Sequence, residues 1–311
     1  MNWNISAYKT LEKCPRRWFY QDKAANGNAK NDKERVEITR LKKLKTIDGW
    51  RGDIVDQIIS EVLILKIKRK ERVVLEDLLQ VARNIFDKQF LLASGQLSDI
   101  NGRPPEFVFI DTEFGRTISE EKKQQAWRDI ELAIYNFIND ELLMKELREA
   151  NLLLAQWMIP FMYKNINVTA IPDLIAFYNH KPPKIFDWKV HTNGTHPSEE
   201  QLLTYAIALT RTKPQDQYSR FVSGLSVNDI GLTEVQLIAN NTGFKRHYQC
   251  DSDSVKDIER LISGSVLKMY GMDGTKKYKE LSAEDFETIY YAYSEQCYNC
   301  PFQKPCKQIE P

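Results

Sequence analysis

Residues 171–190 read IPDLIAFYNHKPPKIFDWKV, and the placement of three charges in this stretch decides the fold. Asp173 follows Pro172 inside an apolar run that reads as a strand over 167–178. A second run over 184–190, introduced by Pro182-Pro183, reads as a neighbouring strand carrying Asp187 and Lys189 at i and i+2. Side chains alternate along a strand, so these two project from one face. A helix over 199–210 then carries Gln201 and Tyr205 four residues apart, on one helix face. Strands leading into a helix in this way make the segment α/β.

The pattern has a chemistry. A hard divalent cation such as Mg²⁺ takes a few carboxylates, a backbone carbonyl and waters. Asp173 and Asp187 supply carboxylates from adjacent strands, and the Trp188 carbonyl lies between the two functional side chains. A cation held there lowers the pKa of a bound water and stabilises charge on a phosphate oxygen. Lys189 can orient that water or neutralise the phosphorane. Each part alone has a plainer reading. Asp-x-Lys in a strand is commonly an exposed ion pair, Ser198-x-x-Gln201 is also a capping box, and Tyr205 can simply fill a helix–sheet interface.

The five cysteines are placed unevenly. Cys297, Cys300 and Cys306 form a C-x2-C-x5-C array near the end, Cys14 lies near the start in Lys-Cys-Pro-Arg-Arg, and Cys250 stands alone. Three thiolates can converge on one metal centre with Cys14 as the fourth ligand, which would clip the two ends of the chain together. Cys250 reads as a packed thiol.

The chain has 311 residues, 42% hydrophobic and 28% charged, with a net charge of +1. These are values of a soluble globular protein without a global polycation signature, so any nucleic-acid surface is local. Cationic runs over 30–45 and 66–72 read as solvated helix faces. No stretch approaches the roughly 20 apolar residues of a membrane span, and no membrane partner is expected. An odd cysteine count and an N-terminus without an apolar leader place the chain in the cytoplasm.

Helices are predicted over 5–22, from 47 through 63, over 76–92 and over 120–147. The texture changes near residue 152: strands over 152–163 and 167–178 meet at a turn at Lys164-Asn165. Further strands are predicted over 220–226 and 234–240, and helices over 254–269 and 283–293.

Ile171-Pro172-Asp173, Asp187-Trp188-Lys189 and Gln201-Leu-Leu-Thr-Tyr205 resemble three motifs of the PD-(D/E)XK nucleases, in their RecB-like branch. The cysteine framework and the opening Ser6-Ala7-Tyr8 through Cys14-Pro15-Arg16 are similar to the subset with an iron–sulfur cluster, AddB-type domains and CRISPR-associated spacer-acquisition nucleases. The resemblance implies a single nuclease domain over 1–311: N-terminal helices with the first cysteine and first motif (1–56), a helical insertion (57–150), a catalytic α/β core (151–245), and C-terminal helices with the cysteine cluster (246–311). Its fold would be a restriction-endonuclease-like mixed sheet flanked by helices. It implies a [4Fe–4S] cluster on Cys14, Cys297, Cys300 and Cys306, with zinc as the alternative ligand-set reading. It further implies a Mg²⁺ or Mn²⁺ ion held by Asp173, Asp187 and the Trp188 carbonyl, with Lys189, Gln201 and Tyr205 at the reacting phosphate.

One position departs from the family. Where its first motif ends in a metal-ligating histidine, Gly52-Asp53-Ile54-Val55-Asp56 places Asp56. Aspartate is an oxygen donor that suits Mg²⁺. The implied activity is a metal-dependent DNA nuclease, an exonuclease acting on single-stranded or frayed ends in repair, recombination or CRISPR and phage DNA processing. Its partners would be DNA, a separate helicase or a CRISPR or recombination protein, and a second copy in a homo-oligomer. The competing reading is a non-catalytic DNA-binding or scaffold subunit that keeps the fold and the cluster.

Overall fold

Gln201-Leu-Leu-Thr-Tyr-Ala-Ile-Ala-Leu209 is apolar on nearly all sides, as a helix must be when sheet covers it on more than one side. In the computed structural model, which describes residues 2–95, 105–191, 198–213, 216–239, 243–273, 276–288 and 294–306, this helix is buried from Leu202 to Leu209. Strand β1 (Asn2–Trp3) precedes helices α1 (Ile5–Lys13), α2 (Pro15–Trp18), α3 (Lys33–Leu41), α4 (Ile47–Gln57), α5 (Ile64–Lys68) and α6 (Leu75–Ala93). Next come α7 (Ile110–Glu113), α8 (Glu120–Asn139) and α9 (Glu141–Glu149), then strands β2 (Leu152–Ala155), β3 (Ile159–Tyr163), β4 (Ile166–Ala170), β5 (Leu174–Phe177) and β6 (Lys184–Lys189). The buried helix is α10 (Glu199–Arg211); α11 (Asp216–Val222), β7 (Gly231–Gln236), β8 (Phe244–Tyr248), α12 (Ser252–Asp273), α13 (Glu295–Tyr298) and α14 (Gln303–Cys306) complete the chain. No helix of the described residues is long and apolar enough to cross a membrane.

The residues fall into two compact units. One comprises Met1–Ile5, Trp50–Phe86 and Glu121–Ile262; the other comprises Ser6–Gly49, Asp87–Glu120 and Ser263–Pro311. The first unit holds both sheets. Five strands run in the order β2-β5-β6-β7-β8, with β6 and β7 parallel and the remaining pairs antiparallel. A second sheet has the order β1-β4-β3. Helix α10, in the crossover between β6 and β7, packs against β3, β4, β6 and β7. Each of Leu202, Leu203, Ile207 and Leu209 is buried there, contributing about 1.5–3 kcal/mol apiece.

The expected turn at Lys164-Asn165 is present. Both residues have positive φ (44° and 66°), the left-handed pair that matches strand twist in a two-residue hairpin. The strands it joins need correction: 152–163 and 167–178 each break in two. Gln156, with φ of 50°, turns the chain between β2 and β3. Pro172, which has no N–H for a ladder, separates β4 from β5. The long hairpin therefore passes from the five-stranded sheet into the three-stranded one and back. Asp173 stands at the break, one residue before β5, and not inside a strand.

Four other expectations also change. Residues 120–147 form two helices because Asp140 accepts the Leu143 N–H at 2.9 Å and caps α9. Residues 220–222, read as strand, end helix α11, where Phe221 packs on Phe177. The unforeseen β8 is an edge strand with a basic centre (Phe-Lys-Arg-His-Tyr), a composition that protects a sheet edge but hides the strand signal. Of the helix expected over 283–293, only a 3₁₀ turn at Ala283–Asp285 is present, 286–288 are non-helical, and 289–293 lie outside the described residues.

The second unit is organised on aromatic rings. Phe286 stacks on Phe19 at 4.6 Å and Phe302 on Tyr20 at 5.4 Å, while the Tyr20 hydroxyl donates to the Pro305 carbonyl at 2.8 Å. Arg16 donates through Nε to the Phe286 carbonyl at 3.0 Å. The segments around α2 and α14 are thus joined by packing and hydrogen bonds.

Candidate active site

Helix α4 brings Asp56 to the site, and a buried ion pair fixes the helix. Arg51, one and a half turns earlier, pairs with Asp129 on α8 and donates through Nη2 to the Val190 carbonyl at 2.7 Å. Both charged side chains are almost fully buried, so each needs the other. The second carboxylate, Asp173, occupies the Pro172 break. The third, Asp187, is central on β6 and fully buried.

These groups converge within the first unit. Trp188 links two of them: its backbone N–H donates to Asp173 Oδ2 at 2.9 Å and its indole Nε1 to Asp56 Oδ1 at 3.1 Å. Phe137 meets the indole edge-on at 5.9 Å and holds its plane. Lys189 faces Asp187 Oδ2 at 2.5 Å, an oxygen that is buried and has no well-aligned hydrogen-bond donor. Gln201 donates to Asp187 Oδ1 at 3.0 Å and to the Tyr205 hydroxyl at 2.6 Å. The capping-box reading of Gln201 is not realised, since Ser198 makes no side-chain cap bond.

The electrostatics are those of an acidic pocket around one cation. Burial raises the Asp173 carboxyl well above its usual range, and the neighbouring Asp187 charge adds to the rise. Burial likewise raises Asp187, opposed by Lys189, and raises Asp56, opposed by the Trp188 and Gln156 hydrogen bonds. For Lys189, burial alone would lower the pKa, but Asp187 and Asp173 together raise it. The ammonium is therefore a fixed positive charge and not a proton acceptor. Tyr205 is raised chiefly by burial and stays a neutral phenol.

All seven residues singled out here (Asp56, Asp173, Asp187, Trp188, Lys189, Gln201 and Tyr205) share this neighbourhood. Three others were missed. Gln156 donates through Nε2 to both oxygens of Asp56, at 3.0 and 3.2 Å, and to Asp173 Oδ1 at 3.4 Å. Its only mark in the sequence is a polar interruption of an apolar run. Glu234, fully buried on β7 opposite Asp187 in the parallel register, accepts from the Ser198 N–H at 2.5 Å, Gln236 at 2.8 Å and Arg246 at 3.0 Å. It ties the first turn of α10 to the sheet and so sets where Gln201 points. Ser198 acts on both carboxylates, since its side chain also opposes the rise of the Asp187 carboxyl.

Among the described residues, no three His, Cys, Asp or Glu side chains stand close enough together to hold a metal ion. At this site Gln156 lies between Asp56 and Asp173, and Lys189 faces Asp187. The donor set nonetheless has the chemistry of a hard-cation site: three carboxylates from separate elements, with the fully buried Asp187 opposed by the Lys189 ammonium.

In the second unit Cys14, Cys297, Cys300 and Cys306 are free thiols. Burial pushes Cys300 up to about 11, with Cys14 and Cys306 adding to the rise; burial also raises Cys306, with Cys14 and Cys297 adding. Arg17 opposes the rise at Cys300 and Arg16 that at Cys306, and no three of these thiols stand close enough together to hold a metal ion. Cys250 is buried and pushed up to about 11 by that burial, as a packed thiol should be. Of the histidines, His247 contacts Thr233 Oγ1 at 3.1 Å, and His196 lies outside the described residues.

A family model described as the PD-(D/E)XK nuclease superfamily matches residues 2–307. Among curated proteins, none matches the chain.

Proposed function

The chain belongs to the PD-(D/E)XK nuclease superfamily, and from that premise we propose that it is a Mg²⁺- or Mn²⁺-dependent deoxyribonuclease that cuts phosphodiesters by water attack. The observation that carries this reading is that Asp173 and Asp187 both act on Lys189, while Trp188 joins Asp173 to Asp56. Asp56, Asp173, Asp187 and the Trp188 carbonyl would hold the cation. Bound there, it supplies a water of lowered pKa and charge neutralisation at the phosphate.

The protein's own groups do the rest. Trp188 fixes the Asp56 and Asp173 carboxylates, and Gln201 fixes Asp187 from α10. Lys189, kept protonated by its two carboxylate neighbours, stabilises charge growing on the non-bridging phosphate oxygens. The neutral Tyr205 hydroxyl, held by Gln201, adds a hydrogen-bonding group at the same phosphate.

The substrate is DNA, with single-stranded or frayed ends the favoured form, and the cutting is exonucleolytic. A separate helicase, CRISPR or recombination protein would supply the opened strand, with the protein acting in the cytoplasm and as a homo-oligomer. Cys14, Cys297, Cys300 and Cys306 form an all-thiolate donor set that suits a structural [4Fe–4S] cluster in the second unit. One observation favours a non-catalytic DNA-binding role: Asp56 stands where the family places a histidine. Incubating anaerobically purified protein with end-labelled single- and double-stranded DNA tests the choice. Metal-dependent, EDTA-sensitive shortening supports the nuclease; DNA binding without cleavage in either metal supports the alternative.

A further inference from the structure

Gln156 sits in a backbone conformation that disfavours it. Its φ of 50° lies in the left-handed region, where a residue with a Cβ is held at a cost of about 1 kcal/mol. What holds it there is Asp173. The Gln156 N–H donates to the Asp173 carbonyl at 3.1 Å, while the side-chain amide donates to Asp173 Oδ1 at 3.4 Å and to both Asp56 oxygens at 3.0 and 3.2 Å. One residue thus grips Asp173 at both ends and Asp56 from the open side of the site, where Gln156 itself is exposed.

Two half-buried carboxylates facing one another repel. A neutral amide that donates to both offsets that repulsion without adding a charge. The same group carries a carbonyl oxygen on the other arm of its terminal torsion, which is broad and nearly two-fold. Amide oxygens are ordinary ligands for hard divalent cations.

We propose that Gln156 is a working member of the cation site, bridging Asp56 and Asp173 when no cation is bound and turning its amide oxygen toward the cation when one is. The inference rests on the nuclease reading, since it needs Asp56 and Asp173 to be cation ligands. It makes residue 156 a determinant of cation affinity.

The test is titration of the full-length, metal-free protein with MnCl₂ and with MgCl₂ by calorimetry, alongside thermal melting in EDTA. Gln156→Glu puts a third carboxylate against two others. Even at a water-like dielectric and a separation of about 4 Å, the added charge should tighten Mn²⁺ binding at least roughly tenfold. The same variant should melt several degrees lower in EDTA at pH 7, and cation should restore it. Gln156→Leu, which has no oxygen to offer, should bind Mn²⁺ roughly tenfold more weakly. A residue that merely supported the loop would move affinity and metal-free stability in the same direction in Gln156→Glu. Affinity unchanged in both variants overturns the proposal. If the unsubstituted protein binds no Mn²⁺, or binds it equally well as Asp187→Asn, the nuclease reading itself fails. If binding depends on Asp187 but is indifferent to residue 156, only this inference fails.

Discussion

Asp173→Asn separates what the site does from what it costs the fold. In the folded chain the Asp173 carboxyl is raised well above its usual range, first by burial and then by the Asp187 charge. A carboxyl whose folded pKa exceeds its unfolded value binds its proton more tightly in the folded state. At pH 7 the ionised group therefore weakens the fold, and this penalty fades as pH falls toward the unfolded value of about 4. Desolvating a polar group that is incompletely paired costs about 1–3 kcal/mol, and the neutral amide should relieve about that much. Asparagine keeps an oxygen for the Trp188 N–H, which limits any offsetting loss. For a cooperative unit of this size, about 2–4 °C per kcal/mol gives a rise of about 2–12 °C in the metal-free melting midpoint at pH 7. The assay is differential scanning fluorimetry in EDTA at pH 7 and at a pH of about 4.5, where the gain should shrink. Cleavage with Mg²⁺ should fall at least about 100-fold, since a carboxylate proposed as a cation ligand is gone. A variant that melts below the parent in EDTA at pH 7 refutes the electrostatic reasoning.

Asp56→His should retain cleavage and shift metal preference toward Mn²⁺, because nitrogen donors favour the softer ion; Asp56→Ala should weaken metal binding and slow cutting, and an unchanged rate and metal profile would exclude Asp56 as a ligand. Asp129→Ala leaves Arg51 buried without its partner and should cost about 3–5 kcal/mol in chemical denaturation. Cys14→Ala should abolish the brown colour and about four irons per chain expected of anaerobically purified protein; a colourless parent with one equivalent of zinc would instead identify a zinc site.

Much of the site was legible because its parts are local. Asp187 and Lys189 fall on one face through strand periodicity, and Gln201 and Tyr205 share a helix face, so spacing alone placed them correctly relative to each other. Asp56 was reachable only through the family's first motif. Gln156 and Glu234 were not legible, since each acts through partners set by tertiary register: Gln156 through the fold-back of β2 against β5, Glu234 through the parallel pairing of β6 with β7. The strand breaks at Gln156 and Pro172 were underread for a related reason. Each interrupts an otherwise apolar run at a single position, and only the switch between two sheets shows why the chain must bend there. Helix α11 was misread because its short aromatic segment fits either period, and β8 because its charges suit an edge strand.

The most direct measurement of the central claim is cleavage of end-labelled DNA by Asp187→Ala, compared with the parent in Mg²⁺, Mn²⁺ and EDTA. Circular dichroism and DNA binding would confirm that the variant is folded. Asp187 contacts both Lys189 and Gln201, so its loss dismantles the site from the centre. The account predicts that the parent cuts in either metal and not in EDTA, while the folded variant binds DNA but does not cut. Cleavage by Asp187→Ala at the parent rate, or cleavage by the parent that persists in EDTA, would contradict it.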